Sequence, residues 1–545
     1  MAHNILSINE MYLPFLFLYA EIHYRFFPFL PSLLFKREPE VLFDIPNRIG
    51  PGDDLPVLLI INDLGRFPAE PEQVTISVSN PLQGTTLHRF SKLIQYEIDH
   101  PFKRFQQAFI FPVPKSELPF GKLYINAKVT LKNQRRMWTV LNDNLNTSSK
   151  HAFGCFRSDN SLPGSDLCLY GDIHVHSQFS QSHVEFGPPL EVIDRMAKSC
   201  GLSFIGITDH SYDLACKIDN YLIEDQLLER WKLQKKILAD QSRFQTIMLQ
   251  GEEISCQNNQ GATVHLGALG TSEFIPGSRD GARRKLYFKQ QLTIKQAINE
   301  IHRQGGIAFA SHPGSQASLL KRLFLHRGEW STRDLCVPID GIQAFNNGLN
   351  KSWTKGKELW INILRQGHRV PLFAGNDAHG DFSRYRAVEK PFFRIHENFQ
   401  RFMGYGKTGI YGKATTSKGI LQLLKQGSTF ITTGPYLSIN YSKNPTDFLI
   451  SNAPSQKPIN TIYINALSTP EFGRLEKITL YSGSFHGEKH EENILVSILK
   501  EKSYAVQIPF DTVNLLPGNY LRAEVATILE DGERRIAFTS CCFIK

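Results

Sequence analysis

Apolar and polar positions divide the 545-residue chain into regimes of different period. Between residues 172 and 376, seven short apolar runs fall near 172–176, 203–208, 245–251, 263–269, 306–311, 339–345 and 370–376. Stretches of helical spacing separate several of them. Leu190, Val192, Ile193, Met196 and Ala197 lead to a stop at Gly201, and residues 222–239 carry apolar positions three and four apart. Residues 292–304 run to Gly305-Gly306, and 355–366 run to Gly367. Strands alternating with helices predict a largely parallel sheet in an α/β unit. The flanks read differently. Residues 41–145 hold strand-like runs at 55–61, 74–78, 109–111 and 122–127 with Gly and Pro between them, and β patterns return at 461–466, 477–481 and 520–525. This predicts four units: an apolar segment over 1–40, a β-sandwich over 41–160, the α/β unit over 166–435 and a second β-sandwich over 436–545.

The apolar runs of the middle unit end, or nearly end, in metal-binding side chains. In order they deliver Asp172-Ile173-His174-Val175-His176, Thr208-Asp209-His210, Gly251-Glu252-Glu253, Val264-His265-Leu266, Ser311-His312-Pro313 and Asn376-Asp377-Ala378-His379. His174 and His176 are two apart on a strand, so both imidazoles leave the same face. A lone HxH is weak, but six strand ends supplying donors in order are not, and donors at the carboxyl ends of such strands imply a barrel-type active face. Nitrogen and carboxylate donors with no cysteine among them describe a hydrolytic cluster of divalent cations. Two such ions sharing a water supply a nucleophile at neutral pH and stabilise the developing oxyanion.

HxH, TDH, GxE, HP and DxH in this order closely resemble the PHP (polymerase and histidinol phosphatase) family over residues 170 to 380. Phe345-Asn346-Asn347, residues 375–382 and Thr433-Gly434-Pro435 resemble the branch that includes bacterial carbamate ester (carbaryl) hydrolase. The resemblance implies a distorted seven-stranded β/α barrel, flanked here by N- and C-terminal β-sandwich domains, with two to three divalent ions (Mn, Zn or Fe). It implies His174, His176, Glu253 and Asp377 around one ion, Glu253 bridging to a second held by His265 and His312, and His210 and His379 on a third. Glu253, Asp377 and His210 are expected to carry the reaction. Glu253 rather than Glu252 fits GxE, leaving Glu252 on the opposite face, and Asp209 is expected to orient a histidine through its second nitrogen. The chain departs from the family where an Asp or His follows the first histidine by seven or eight positions. Gln181 and Ser182 stand there, and His183, one later, either reaches the third ion through a bulged loop or is a loop histidine.

A net charge of +9 favours an anionic small-molecule substrate, with Arg384 and Arg386 as candidate clamps. The basic clusters Arg135-Arg136 and Arg283-Arg284-Lys285 are too short to predict nucleic-acid binding. Eight scattered cysteines without a CxxC pair fit a reducing, cytoplasmic compartment. The apolar stretches 11–20 and 26–35 are interrupted by Glu21, His23 and Arg25 and broken by prolines, and each is shorter than the ~20 residues of a spanning helix. They are read as packed on their own protein, with peripheral membrane association as the alternative. Three functions follow: hydrolysis of phosphoesters, hydrolysis of carbamate or carboxylic esters, or a non-catalytic scaffold whose sandwiches bind. Nothing in the pattern fixes the oligomeric state.

Overall fold

A computed structural model describes residues 6–7, 38–62, 64–65, 67–79, 86–93, 106–144, 151–180, 187–218, 220–277, 292–317, 322, 326–346, 348–380, 382–383, 387–390, 393–396, 402–450, 459–484, 491–499, 503–513 and 519–543. The apolar stretches 11–20 and 26–35, and with them His183, Arg384 and Arg386, lie outside the described residues. So does the basic cluster Arg283-Arg284-Lys285.

The seven apolar runs of the middle region form β1 (Cys168–Val175), β2 (Phe204–Ile207), β3 (Ile247–Gln257), β4 (Thr263–Leu269), β5 (Ile307–Ala310), β6 (Gly341–Phe345) and β7 (Leu372–Ala374). Their order in the sheet is β7-β6-β5-β4-β3-β2-β1, after which β8 (Lys407–Tyr411) and β9 (Thr429–Thr432) follow. Each run is apolar because it is buried on both faces, between helices such as Leu190–Ser199 and Lys351–Arg365 outside and the strands' own side chains inside. The row curls. Beyond β7 the chain returns to the end of β1, where Val175 bridges Ala378, Asp377 N donates to His174 O (2.9 Å) and His176 N donates to Ala378 O (3.0 Å). Buried Asp172 clips the same seam, accepting from the Asn376 backbone N and Nδ2 and from Gly404 N.

Of the expected architecture, neither the largely parallel barrel nor the separate C-terminal sandwich is what the structure shows. β3, β4 and β5 pair antiparallel, with β3 turning into β4 through a tight hairpin closed by Asn258 and Gly261. β8 runs antiparallel to both β1 and β9. The far edge of β9 then pairs with Arg534–Thr539, which leads to Asn519–Ile528, Arg474–Ser484 and Glu492–Ile498 in one mixed sheet of 14 strands. Strands dominate, and of the seven α-helices among the described residues two, Ser211–Leu214 and Thr332–Leu335, are single turns. The physical reason is that a short run buried on both faces has the same composition whichever way its neighbour points. The open edge of β9 also offers backbone donors and acceptors that the C-terminal strands satisfy. These strands therefore extend the central sheet and share its core, together with the three-stranded sheet of Tyr436–Asn440, Thr461–Leu467 and Ala505–Asp511.

The N-terminal strands form two layers, Glu40–Asp44, Leu55–Asn62 and Gln106–Val113 against a sheet built on Glu70–Ser79 and Gly121–Lys132, around their own core. Leu55–Asn62 is buried throughout, because Leu58 and Ile60 pack into the core that includes helix Leu190–Ser199. Asp44 accepts from Phe382 N (3.0 Å) and Ser383 N (2.9 Å), so this unit holds the chain just past His379. Among the described residues no helix is long and apolar enough to cross a membrane, and all eight cysteines are free thiols.

Candidate metal centre

Alternation along β1 sends His174 and His176 inward side by side, their Nε2 atoms 3.2 Å apart and both rings fully buried. The close approach of His174 to the chain just past β7 requires glycine at 375, where a Cβ would sit 2.7 Å from that of His174. On β3 the same alternation turns Glu253 toward the histidines and Glu252 away. Glu252 accepts from Trp231 Nε1 (3.1 Å), and burial pushes its carboxyl up to about 8.

Glu253 is the hub. Its Oε1 lies 2.8 Å from His265 Nδ1, 3.0 Å from His312 Nε2 and 3.4 Å from His174 Nε2. Its Oε2 lies 3.0 Å from His210 Nδ1 and 3.6 Å from His176 Nε2. Asp377 Oδ1 completes the first group at 3.1 Å from His176 Nε2 and 3.5 Å from His174 Nε2. Three sets of donors thus converge: His174, His176, Glu253 and Asp377; His210, Glu253 and His265; and His176, His210 and His379. The buried His/Glu/Asp clusters could hold a metal ion. Relative to the implied sets, His210 belongs to two groups rather than standing with His379 alone, and His312, which approaches the same Glu253 oxygen as His265, falls in none of the three sets. The rings of His176 and His379 stack at 3.9 Å.

The donor atoms suit cations. His210 Nδ1 and Glu253 Oε2 are buried and face each other at 3.0 Å, yet neither makes a hydrogen bond. Buried polar atoms left this way are costly unless an ion or water answers them. The other nitrogen of several rings is tied down, which fixes the tautomer that leaves the donor lone pair free. His174 Nδ1 donates to Gln343 Oε1 (2.7 Å), whose Nε2 in turn donates to Asn346 Oδ1. His379 Nδ1 donates to the Asp377 carbonyl (3.0 Å). Asp209 does not touch a histidine. It accepts from Ser180 Oγ (2.7 Å), and that hydroxyl, its proton committed, accepts from His176 Nδ1 (3.0 Å), so Asp209 orients His176 at one remove. Ser177 N and Oγ and Gln234 Nε2 satisfy the rest of Asp209.

Two donors hold left-handed backbone, His312 at φ 33° and Asp377 at φ 53°. Such positions cost about 1–3 kcal/mol each for a non-glycine residue and gather at functional sites. Their side chains are also the open ones, 17% and 16% exposed against 1% for Glu253, so the cluster meets solvent on their side. Burial would raise the carboxyls of Glu253 and Asp377, but the surrounding imidazoles hold both well below the carboxylate range. Burial also opposes charge on His174, yet Glu253 and Asp377 raise it to about 9. Burial, then the neighbouring His379 and His210, keeps His176 well below its ordinary value, and burial lowers His312.

Sequence reasoning missed Gln343, Ser180 and Arg327, whose guanidinium contacts His265 Nε2. A polar residue inside the apolar run 341–345 was the available signal for Gln343, and neither of the others carried one. His302, paired with Asp340 (2.7 Å), lies outside the three donor sets, and burial pushes the Cys256 thiol up.

No family model matches the chain, and no curated protein matches it. Among solved structures it is similar to a calcium-binding mutant of Bacteroides uniformis β-glucuronidase 2, at 10% identity and a TM-score of 0.18, covering 93% of this chain and 60% of that one. It is similar also to Parabacteroides merdae β-glucuronidase, at 9% identity and a TM-score of 0.16, covering 92% and 63%. The chain therefore spans less than two thirds of the length of these structures, and likenesses of this depth carry no argument about fold or activity.

Proposed function

We propose that the protein is a metal-dependent hydrolase of phosphoesters, working with two to three divalent cations of the Mn, Zn or Fe kind at the Glu253 cluster. One observation carries the reading: both oxygens of a single buried carboxylate are approached by histidines, three on Oε1 and two on Oε2. A bridging acid of this kind, with Asp377 at the rim, has no use in a scaffold, because burying so many ionisable groups together is costly without a cation. This donor set is also the one that resemblance to the PHP family implies.

Divalent cations, when bound here, would supply Lewis acidity and lower the pKa of a coordinated water. The chain's own residues do the rest. Glu253 and Asp377 supply the negative charge, while Gln343 and the Asp209–Ser180 pair hold His174 and His176 with their Nε2 lone pairs inward. Asp377 and His312 stand where solvent and substrate reach the cluster.

The test is a panel of nitrophenyl phosphate monoester, phosphate diester, carboxylic ester and carbamate, run with Mn, Zn and Fe. Turnover of a phosphoester that chelation removes and metal restores is expected. Preference for the carbamate or carboxylic ester would move the reading to ester hydrolysis, and no turnover by a metal-loaded sample would refute it.

A further inference from the structure

We propose that Asp44 and Asn47 of the N-terminal unit are positioning residues for the metal centre, holding the Asp377–His379 segment so that its two donors reach the cluster. Resting on the reading of the cluster as a cation site, this assignment makes the N-terminal unit part of the centre rather than an appended module. Asp377 and His379 lie past the end of β7 on irregular backbone, with Asp377 at φ 53° and Gly380 at φ 72°. A non-glycine residue keeps left-handed backbone only where its surroundings over-determine it. The segment must therefore be held from both ends.

Asp172 holds the upstream end, accepting from Asn376 N (3.1 Å) and Asn376 Nδ2 (2.6 Å). Asp44 holds the downstream end. Its Oδ2 accepts from Phe382 N (3.0 Å) and its Oδ1 from Ser383 N (2.9 Å), two charge-assisted bonds to consecutive amides. Asn47 Nδ2 donates to both Phe382 O (3.2 Å) and Met403 O (3.0 Å). The residue after Met403 closes the ring, since Gly404 N donates to Asp172 Oδ2 (3.1 Å). Two buried aspartates, linked through Asn47, thus clamp the donor segment between them. Asp44 is itself fixed, because Glu40–Asp44 pairs with Leu55–Asn62 along its whole length. Removing its carboxylate would leave two amides beside the segment without their acceptor. Of the three donor sets, one uses Asp377 and one uses His379, while His210, Glu253 and His265 use neither.

The experiment compares the full chain with Asp44→Ala, Asp44→Asn and a control, Asp54→Asn, whose aspartate also accepts from a backbone amide, Lys115 N (2.9 Å). The readouts are calorimetric zinc titration, zinc content, and hydrogen exchange of the metal-free protein. Asp44→Ala should weaken zinc binding at the sets that use Asp377 and His379 roughly 10- to 100-fold, the usual cost of losing a group that orients ligands. The ion of the His210, Glu253 and His265 set should stay. Amide exchange over Asp377–His379 and at Phe382 and Ser383 should quicken in the same variant. Asp44→Asn keeps one oxygen acceptor and should fall between, and Asp54→Asn should match the wild type. Wild-type zinc affinities in Asp44→Ala would overturn the proposal, even with faster exchange. So would loss of all the zinc together with faster exchange throughout the N-terminal unit, which is what a purely structural role gives. If the wild type binds no zinc while exchange over the segment still responds to Asp44→Ala, the cation reading fails and the anchor stands. If exchange does not respond either, both fail.

Discussion

Replacing Glu253 with glutamine is expected to empty the cluster and end turnover while leaving the fold in place. The amide keeps the shape of the side chain but loses the charge that His265, His174 and His210 surround. It also turns one of the two oxygens that face histidines into an NH2 group, a donor where a cation needs an acceptor. Because the carboxylate belongs to two of the three donor sets, one substitution removes a ligand from both. Metal content should drop below one ion per chain and turnover should fall on the order of 10³-fold or more, a loss comparable to removing the main electrostatic stabiliser of a reaction. Glu252→Gln is the matched control. That neighbour faces Trp231 on the other side of β3, and its replacement should leave metal content as it was. Elemental analysis and turnover on the two variants, with circular dichroism to check folding, decide the matter, and a fully active Glu253→Gln protein would remove the bridging role.

Metal affinity should climb with pH by about tenfold per unit between roughly pH 6.5 and 9, since one proton must leave for each cation gained at His174. In the metal-free protein Glu253 and Asp377 raise that imidazole to about 9, against the burial that opposes its charge, while His176 and His312 sit below their ordinary value and are already neutral at pH 7. The sign for stability follows. A histidine raised in the folded state stabilises fully below its unfolded value of 6.5, and this contribution disappears as pH rises through about 9. Over that window the metal-free protein loses the His174 contribution as the metal-loaded protein gains affinity. The gap between their Tm values should therefore widen with pH. Thermal melts with and without chelator at pH 6.5, 7.5 and 8.5 measure it, and calorimetry in buffers of different ionisation enthalpy counts the proton released. A gap that narrows with pH would contradict this assignment.

Much of the site was legible in the sequence because side-chain parity on a strand is local. His174 with His176, and Glu253 over Glu252, follow from a two-residue period alone. What holds those rings was not legible. Ser180 links Asp209 to His176 from a loop with no period to read, and Arg327 meets His265 only through a pairing across 62 positions of chain. The fold divided in the same way. Strand positions were readable from apolar runs, but direction was not, so the antiparallel β3–β4–β5 pairings were read as parallel. The C-terminal strands looked like a separate sandwich because their alternation is ordinary; nothing local says that Arg534–Thr539 docks on β9.

The central claim is that Glu253 bridges cations. Anomalous scattering at the metal edge, from crystals of the metal-loaded protein, tests it most directly. Peaks are predicted on both sides of that carboxylate, one among His174, His176 and Asp377 and another beside His210 and His265. A single peak away from Glu253, or none within bonding reach of it, would contradict the account.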